Sequence, residues 1–386
     1  MRQIAYPAAL GSCVLGVSAT PLWAAEWSIT PNYSASVDYD SNRRLTIDGK
    51  GTGASVLTAD VKFKRALEDI QFSIEPRYAL RRFSDSSLGN GDDRTVNSEI
   101  NWVRERSLLN LTASYWDQST LATELLETGL VSGDTHRRLA QTGLSWNWNQ
   151  TERWMLVSQL SYQDVSYYGR ASAQLPGYRY QSGSLGEQFV LNERSSLTLS
   201  TYGSLLQSET PGNSSHELGL QAQIAYKFSE RTKLDASLGE SRRLLSGTGS
   251  NGTDASISLS HSFVLGKLTF SYTRSLVPYG VGFLVQQQQY NAGYSRSLTP
   301  FLDASVALLR IQNNETAVLL RIDRRNYNSV AAGLSWHPME TWNLGVRLEG
   351  VRTQSPVSPV SGSESVNAWR AFMTLTWYPH PTARSW

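Results

Sequence analysis

The run Leu218-Gly219-Leu220-Gln221-Ala222-Gln223-Ile224-Ala225-Tyr226-Lys227-Phe228 decides the fold. It is followed by Ser229-Glu230-Arg231-Thr232-Lys233 and then by Leu234-Asp235-Ala236-Ser237-Leu238-Gly239. Apolar residues take every second position on both sides of a short polar turn. Successive side chains of a strand point to opposite faces, so this alternation marks strands with one apolar and one polar face. Two such runs joined by a tight turn predict an antiparallel hairpin.

The same unit recurs along the chain. Short turns are expected at Arg65–Asp69, Arg104–Ser107, Asn149–Arg153, Asn192–Ser195, Ser229–Lys233, Leu265–Lys267, Ser297–Pro300 and His337–Thr341. Several share similar text: Glu105-Arg106-Ser107, Glu152-Arg153-Trp154, Glu193-Arg194-Ser195 and Glu230-Arg231-Thr232. Longer segments rich in Gly, Ser, Asp and Asn alternate with them, at Ser84–Arg94, Gln118–Arg138, Gln207–Ser215, Ser246–Asp254 and Thr353–Ser365. The strands between run about 9–11 residues, enough to cross a bilayer when tilted. With a first strand at Trp27–Tyr39 and a last at Asn367–Tyr378, about eighteen strands are expected, within a range of about 16–18. Residues 302–336 leave room for an extra hairpin at Asn313-Asn314, but long strands protruding beyond the membrane preserve the even count. The prediction is an all-β, transmembrane, antiparallel up-and-down barrel with short periplasmic turns and long extracellular loops.

Composition narrows the alternatives. The chain has 386 residues, 40% hydrophobic and 18% charged, with a formal charge of +2. Disorder needs low hydrophobicity and high net charge. A helical span needs about 18 apolar residues in a row, and none follows the first 25 positions. No basic run offers a nucleic-acid footprint. A propeller blade would pack four short strands into each repeat, whereas two long ones are found here. Residues 1–24 read as a secretory leader, with Arg2 before an apolar stretch from Ile4 to Ala19 and cleavage after Ala24. Residues 25–386 then form one barrel domain without cysteine, since Cys13 falls in the leader.

Alternation assigns the two faces. Ile70, Phe72, Ile74, Leu109, Leu111, Ile257, Leu259, Leu268, Phe270, Val306 and Leu308 belong to the apolar face, expected to meet lipid. Aromatic residues collect near the short turns, at Trp102, Trp146, Trp148, Trp154, Tyr226, Trp336, Trp342 and Trp377. A second group, Tyr39, Phe83, Tyr115, Tyr162, Tyr167 and Tyr168, lies toward the long loops. Two aromatic girdles at strand ends are what membrane–water interfaces favour. The polar face supplies lumen-lining candidates: Ser145, Gln159, Gln221, Gln223, Ser258, Ser260, Ser271, Gln287, Gln289, Asn291 and Arg347. Small, neutral, hydrophilic side chains dominate it, and its sparser charges are mixed in sign. A barrel of this size encloses a water channel unless plugged, and the sequence reveals neither an N-terminal plug nor a constricting loop. Such a lining suits uncharged hydrophilic solutes such as sugars, although any wet lumen shares these traits.

No Gly-x-Ser-x-Gly occurs, and no His/Cys/Asp spacing fits a metal site. His136 with Asp134 is the best dyad text, expected in a solvated outer loop. Arg321, Arg324 and Arg325 form a basic group near another expected outer loop. The reading is therefore non-enzymatic, with no cofactor and no metal.

Leader, short turns, long loops, girdles and a terminal strand alternating Trp369, Ala371, Met373, Leu375 and Trp377 together resemble a Gram-negative outer-membrane β-barrel. The chain departs from that pattern after Tyr378, where Pro379 and Pro381 precede the final Trp386. The neutral lumen and repeated Ser-Glu-Arg-Thr-type turns are similar to barrels associated with exopolysaccharide export and biofilm gene clusters. That resemblance implies an export conduit for saccharide polymer, partnered by outer-membrane lipid and lipopolysaccharide, the barrel-assembly machinery and periplasmic polysaccharide-export components. A general diffusion porin for small solutes is the main alternative. A non-conducting structural or adhesion barrel is another.

Overall fold

The computed structural model describes residues 26–46, 48–121, 123, 135–169, 175–210, 214–245, 248–279, 282–314, 326–356, 363–380 and 382–385. The expected leader lies outside them, as do Asp134, Arg321, Arg324 and Arg325. The strands are β1 (Glu26–Asp40), β2 (Thr52–Ala66), β3 (Ile70–Phe83), β4 (Gly91–Arg104), β5 (Ser107–Ser119) and β6 (Thr135–Asn149). Next come β7 (Trp154–Gly169), β8 (Tyr178–Asn192), β9 (Ser195–Ser208), β10 (Ser214–Ser229), β11 (Thr232–Leu245) and β12 (Thr248–Ser262). The series ends with β13 (Gly266–Tyr279), β14 (Phe283–Thr299), β15 (Leu302–Asn314), β16 (Asn326–Met339), β17 (Trp342–Pro356), β18 (Ser363–Trp377) and the short β19 (Thr382–Ser385).

Each strand pairs antiparallel with its sequence neighbours, and β1 closes on β18 from Tyr33↔Trp377 to Asp40↔Arg370. The result is a closed, 18-stranded up-and-down barrel. Closure removes the free edges that hydrocarbon cannot solvate. All eight expected short turns fall between consecutive strands. Backbone bonds tie several of them to the next ladder, as in Lys227 N–H to Arg194 O at 2.7 Å. The ending after Tyr378 also finds its place: β19 pairs with the first residues of β1, from Glu26↔Ser385 to Ile29↔Thr382. Between the two closures, Thr30, Pro31 and Asn32 pair only with β2 among the described residues. The gap coincides with prolines on both sides, Pro31 on β1 and Pro379 after β18, and proline has no N–H for a ladder.

Three expectations change. Strands run 13–17 residues instead of 9–11, because polar outer segments continue the ladder above the membrane. Ser246–Asp254, expected as a loop, is mostly strand, with β12 paired to β11 from Thr248↔Leu245 onward. His136 is likewise in β6 and not in a loop, its ring stacked on Tyr168 with centroids 5.2 Å apart. In the 302–336 region the long-strand alternative holds, with β15 reaching Asn314 and β16 starting at Asn326.

The outward face follows the alternation. Leu218 and Leu220 are 67% and 70% exposed in the isolated chain. In a bilayer such residues are covered by lipid. The turn-side aromatics all lie on this face at one end of the barrel. Trp146 stacks on Trp148 at 6.2 Å, Trp342 on Trp377 at 6.0 Å, and Trp154 meets Phe189 edge-on at 4.4 Å. Their amphipathic rings suit the interface between hydrocarbon and water. In the second aromatic group, Tyr39 and Tyr168 point outward and are exposed. Phe83 and Tyr167 turn inward, because each stands in register with inward-facing neighbours, Ala54 and Arg137.

Apolar clusters occur inside the barrel as well. Leu139, Val165, Tyr178, Leu206, Leu276 and Leu284 form one, and Leu45, Ile311, Tyr327, Val351 and Ala368 another. The first joins β6 to β9 with β13 and β14 from another part of the wall, and the second sets Leu45 of the segment after β1 onto the adjacent strands β15 to β18, so in each case chain leaves the wall for the lumen.

Candidate functional site

The inner wall is a ladder of neutral polar side chains. Ser145 stands in register with Asn110 and Gln159, and Gln223 with Ser237 and Thr198. Gln221 donates to Ser237 Oγ at 2.9 Å, and Ser237 meets Ser256 Oγ at 2.7 Å. Ser258 is in register with Ser271 and Ser260 with Thr269. Asn291 donates to Ser271 at 3.3 Å, and Gln287 to Asn313 at 3.1 Å. Gln289 is in register with Thr273. Arg347 lies opposite Gly333 and reaches Glu349 at 3.5 Å. By register, each lumen candidate from the sequence lies on the side opposite the exposed leucines.

Charges of both signs interrupt the ladder, as where Lys62 of β2 approaches Glu75 of β3 at 4.0 Å. Near the seam, Arg370 binds Asp40 at 2.7 Å and approaches Glu349 at 3.9 Å. Over these strands lies the segment following β1. Its Leu45, at φ 48°, is 1% exposed and packs on Ile311, Tyr327, Val351 and Ala368. A left-handed backbone is unfavourable for leucine, so the burial of this side chain is what holds the segment inward. Arg43 of the same segment pairs with Asp38 and lies 5.2 Å over the Phe83 ring.

The second intrusion is larger. Register between β12 and β13 runs from Ser262↔Lys267 to Ala255↔Arg274 and stops. Above that point β12 continues along β11, while β13 continues with β14 as far as Tyr279↔Phe283. The wall therefore divides, and the outer half of the β13–β14 hairpin leans into the lumen. Leu276 and Leu284 pack on Leu139, Val165, Tyr178 and Leu206 of β6 to β9, with Trp116, Tyr167 and Tyr180 around them. At the tip, Gly282 (φ +82°) lies so close to Ser208 that a Cβ there would sit 2.2 Å from its Oγ. Gln286 donates to Thr253 O of β12 at 3.1 Å, bridging the division. The split begins where the outward residues of β11 change from Leu238 to the exposed Glu240 and Arg242. An unpaired edge is tolerable there and not in hydrocarbon.

Behind the hairpin lies a buried ion cluster that the sequence reading did not single out. Arg243 binds Glu217 at 2.9 Å and Asp254 at 2.6 Å, and its side chain is 2% exposed. Ser241 donates to Glu217 at 2.7 Å, and Tyr202 O–H to Asp254 at 2.5 Å. Two carboxylates and one guanidinium are thus held by mutual pairing and two hydroxyls, as buried charge requires.

No group of three or more His, Cys, Asp or Glu suited to a metal occurs among the described residues. His136 faces outward beside Asp117 at 3.6 Å, away from the lumen.

Neither a family model nor a curated protein matches the sequence. Solved structures do. OccAB3 of Acinetobacter baumannii is similar with a TM-score of 0.50 at 8% identity, covering 92% of this chain and 99% of that one. OccK5 (OpdH) of Pseudomonas aeruginosa gives 0.49 at 10%, covering 92% and 98%. OccK9 (OpdG) of the same organism gives 0.49 at 14%, with the same coverage. These neighbours are outer-membrane porin barrels, and the likeness is one of fold.

Proposed function

We propose that the chain is an outer-membrane diffusion channel for small hydrophilic solutes. The observation that carries this reading is a closed barrel with a lipid-facing apolar band outside and, inside, a mostly neutral polar ladder whose charges are mixed in sign. Fold likeness to porin barrels supports the same location and class. A Ser, Gln and Asn lining offers hydrogen bonds without a strong single-sign field, so neutral solutes meet the smallest electrostatic barrier. The channel acts by passage and uses no catalytic group. Outer-membrane lipid, lipopolysaccharide and the assembly machinery are its partners on this reading.

Export of a saccharide polymer through a periplasmic partner, the finer expectation from the sequence, is less well supported. The β13–β14 hairpin crosses the outer half of the lumen, and a polymer would need it to swing back against β12. The two readings separate in a liposome-swelling assay with the refolded chain. Swelling rates that fall steeply from monosaccharides to trisaccharides support a narrowed diffusion channel. Equal rates for long oligosaccharides favour an export outlet, and no swelling overturns both as open conduits.

A further inference from the structure

The Tyr202 ring is laid against the inner wall by a set of contacts that the general porin reading does not explain. Tyr202 on β9 is in register with Gly219 on β10, and Gly239 follows on β11. A Cβ at Gly219 would lie 2.6 Å from Tyr202 Cζ, and one at Gly239 would lie 3.2 Å from its hydroxyl. The ring therefore lies flat across both glycines, a close approach that their missing side chains permit. Its hydroxyl is pinned by Asp254, Asp254 by Arg243, and Arg243 by Glu217. One face of the ring is used up against the backbone. The other borders a luminal cavity of about 430 Å³, roofed by Ser275 and Leu276 of the infolded hairpin.

Apart from Leu144, Leu160 and the carboxylates Glu217 and Asp254, the rest of that cavity is mostly neutral and polar. Gln159 and Gln221 line it with the Ser161–Ser182 hydroxyl pair and the Tyr180 ring. Gln159 has no side-chain partner among the described residues, so its amide is open to a ligand. The carboxylates at the cavity's edge are already satisfied by Arg243, Ser241 and Tyr202. What remains is an apolar ring face flanked by uncharged donors and acceptors, in a volume typical of ligand sites at about 300–1,000 Å³. A pyranose ring matches it. One sugar face presents C–H groups to an aromatic ring, and the equatorial hydroxyls reach amides and hydroxyls at the sides.

Resting on the channel reading, we propose that Tyr202, Gln159 and Gln221 form a saccharide-binding subsite in the lumen, with Tyr202 as the stacking platform. The subsite holds one or two neutral sugar rings in transit beneath the hairpin. Binding here makes the channel selective for saccharides over other neutral solutes of equal size.

The test is single-channel recording with maltotriose, and with polyethylene glycol of equal hydrodynamic size as the non-stacking control. Wild type should show reversible current interruptions with maltotriose and much briefer ones with the polymer. Tyr202→Ala should shorten the maltotriose residence by about tenfold, the upper range for loss of one aromatic contact. Tyr202→Phe keeps the platform and should retain most of it. Gln159→Ala lies outside the ion cluster and should shorten residence severalfold without affecting folding, so the test survives if Tyr202→Ala fails to fold. Equal residence in wild type and these variants, or equally long interruptions by the polymer, overturns the subsite. A wild-type barrel that folds but never conducts overturns the channel reading instead. Calorimetric titration of maltotriose into the detergent-folded barrel then decides the subsite, which is overturned by equal binding to wild type and Gln159→Ala.

Discussion

The two ends of this barrel obey different rules. At the turn end, the strands are paired except at Thr30, Pro31 and Asn32 on the closing side, the outward face is mostly apolar or aromatic, and the inward face mixes small neutral residues with charges of both signs such as Lys62 and Glu75. At the loop end, β12 and β13 part, a hairpin enters the lumen, and charges are buried behind it. The bilayer accounts for the first pattern, because every backbone group within it must be paired and every outward side chain must suit lipid. Above the hydrocarbon that demand is lifted. Polar edges become affordable to water, and side-chain contacts across the lumen decide where the chain goes. The conserved geometry of a barrel and the individuality of its channel therefore occupy different heights of the same strands.

This contrast can be broken most forcefully at Arg243. Replacing it by Ala strands Glu217 and Asp254 as buried charges and should cost about 3–5 kcal/mol. The loss should appear in urea titrations of the outer half, followed by hydrogen exchange on β10 to β12, while β4 to β6 near the turns keep their protection. Uniform loss around the barrel would show that the two ends are one cooperative unit. The substitution Leu276→Ala attacks the hairpin itself and should cost about 2–5 kcal/mol of its packing on Leu206 and Val165. Channel current should then become noisy as the hairpin samples the wall position. Leu111→Arg tests the other end of the comparison, since Leu111 stands outward between Ile100 and Leu144 and a cation facing mid-membrane lipid costs about 2–4 kcal/mol. Refolding yield into vesicles should fall, with conductance of the folded fraction unchanged. Smallest is Gln286→Ala, which removes the bridge to Thr253 O and should cost about 1 kcal/mol, read as faster exchange of the β13 outer amides.

Legibility in the sequence follows the same division. Every short turn, the girdle tryptophans and the polar face were readable, because bilayer thickness and period-2 alternation constrain them directly. The infolded hairpin was not, although it left a trace. Leu276-Val277-Pro278-Tyr279 and Phe283-Leu284-Val285 are apolar on both faces, unlike the Gly, Ser, Asp and Asn of the other outer segments. A strand tip with no polar face has to be buried on both sides, and above the membrane only the lumen can do that. Ser246–Asp254 misled in the opposite direction: its Gly, Ser and Asn content reads as a loop, yet pairing with β11 holds it extended. Arg243, Glu217 and Asp254 come from three strands, so their meeting depends on register across two ladders, which alternation alone does not count. Alternation puts Tyr202 on the inward face with Ser200, but its role depends on glycines from two other strands lying beneath it.

The central claim is that the lumen is an aqueous channel whose bore is set by the β13–β14 hairpin. The most direct measurement compares single-channel conductance of the wild type with a variant in which residues 277–285 are replaced by Asn-Gly. This two-residue turn joins Leu276 and Gln286, which face each other in register. The account predicts steady conductance from the wild type and a clearly larger one from the shortened barrel. Equal conductance would contradict the hairpin's role, and silence from both folded barrels would contradict the channel itself.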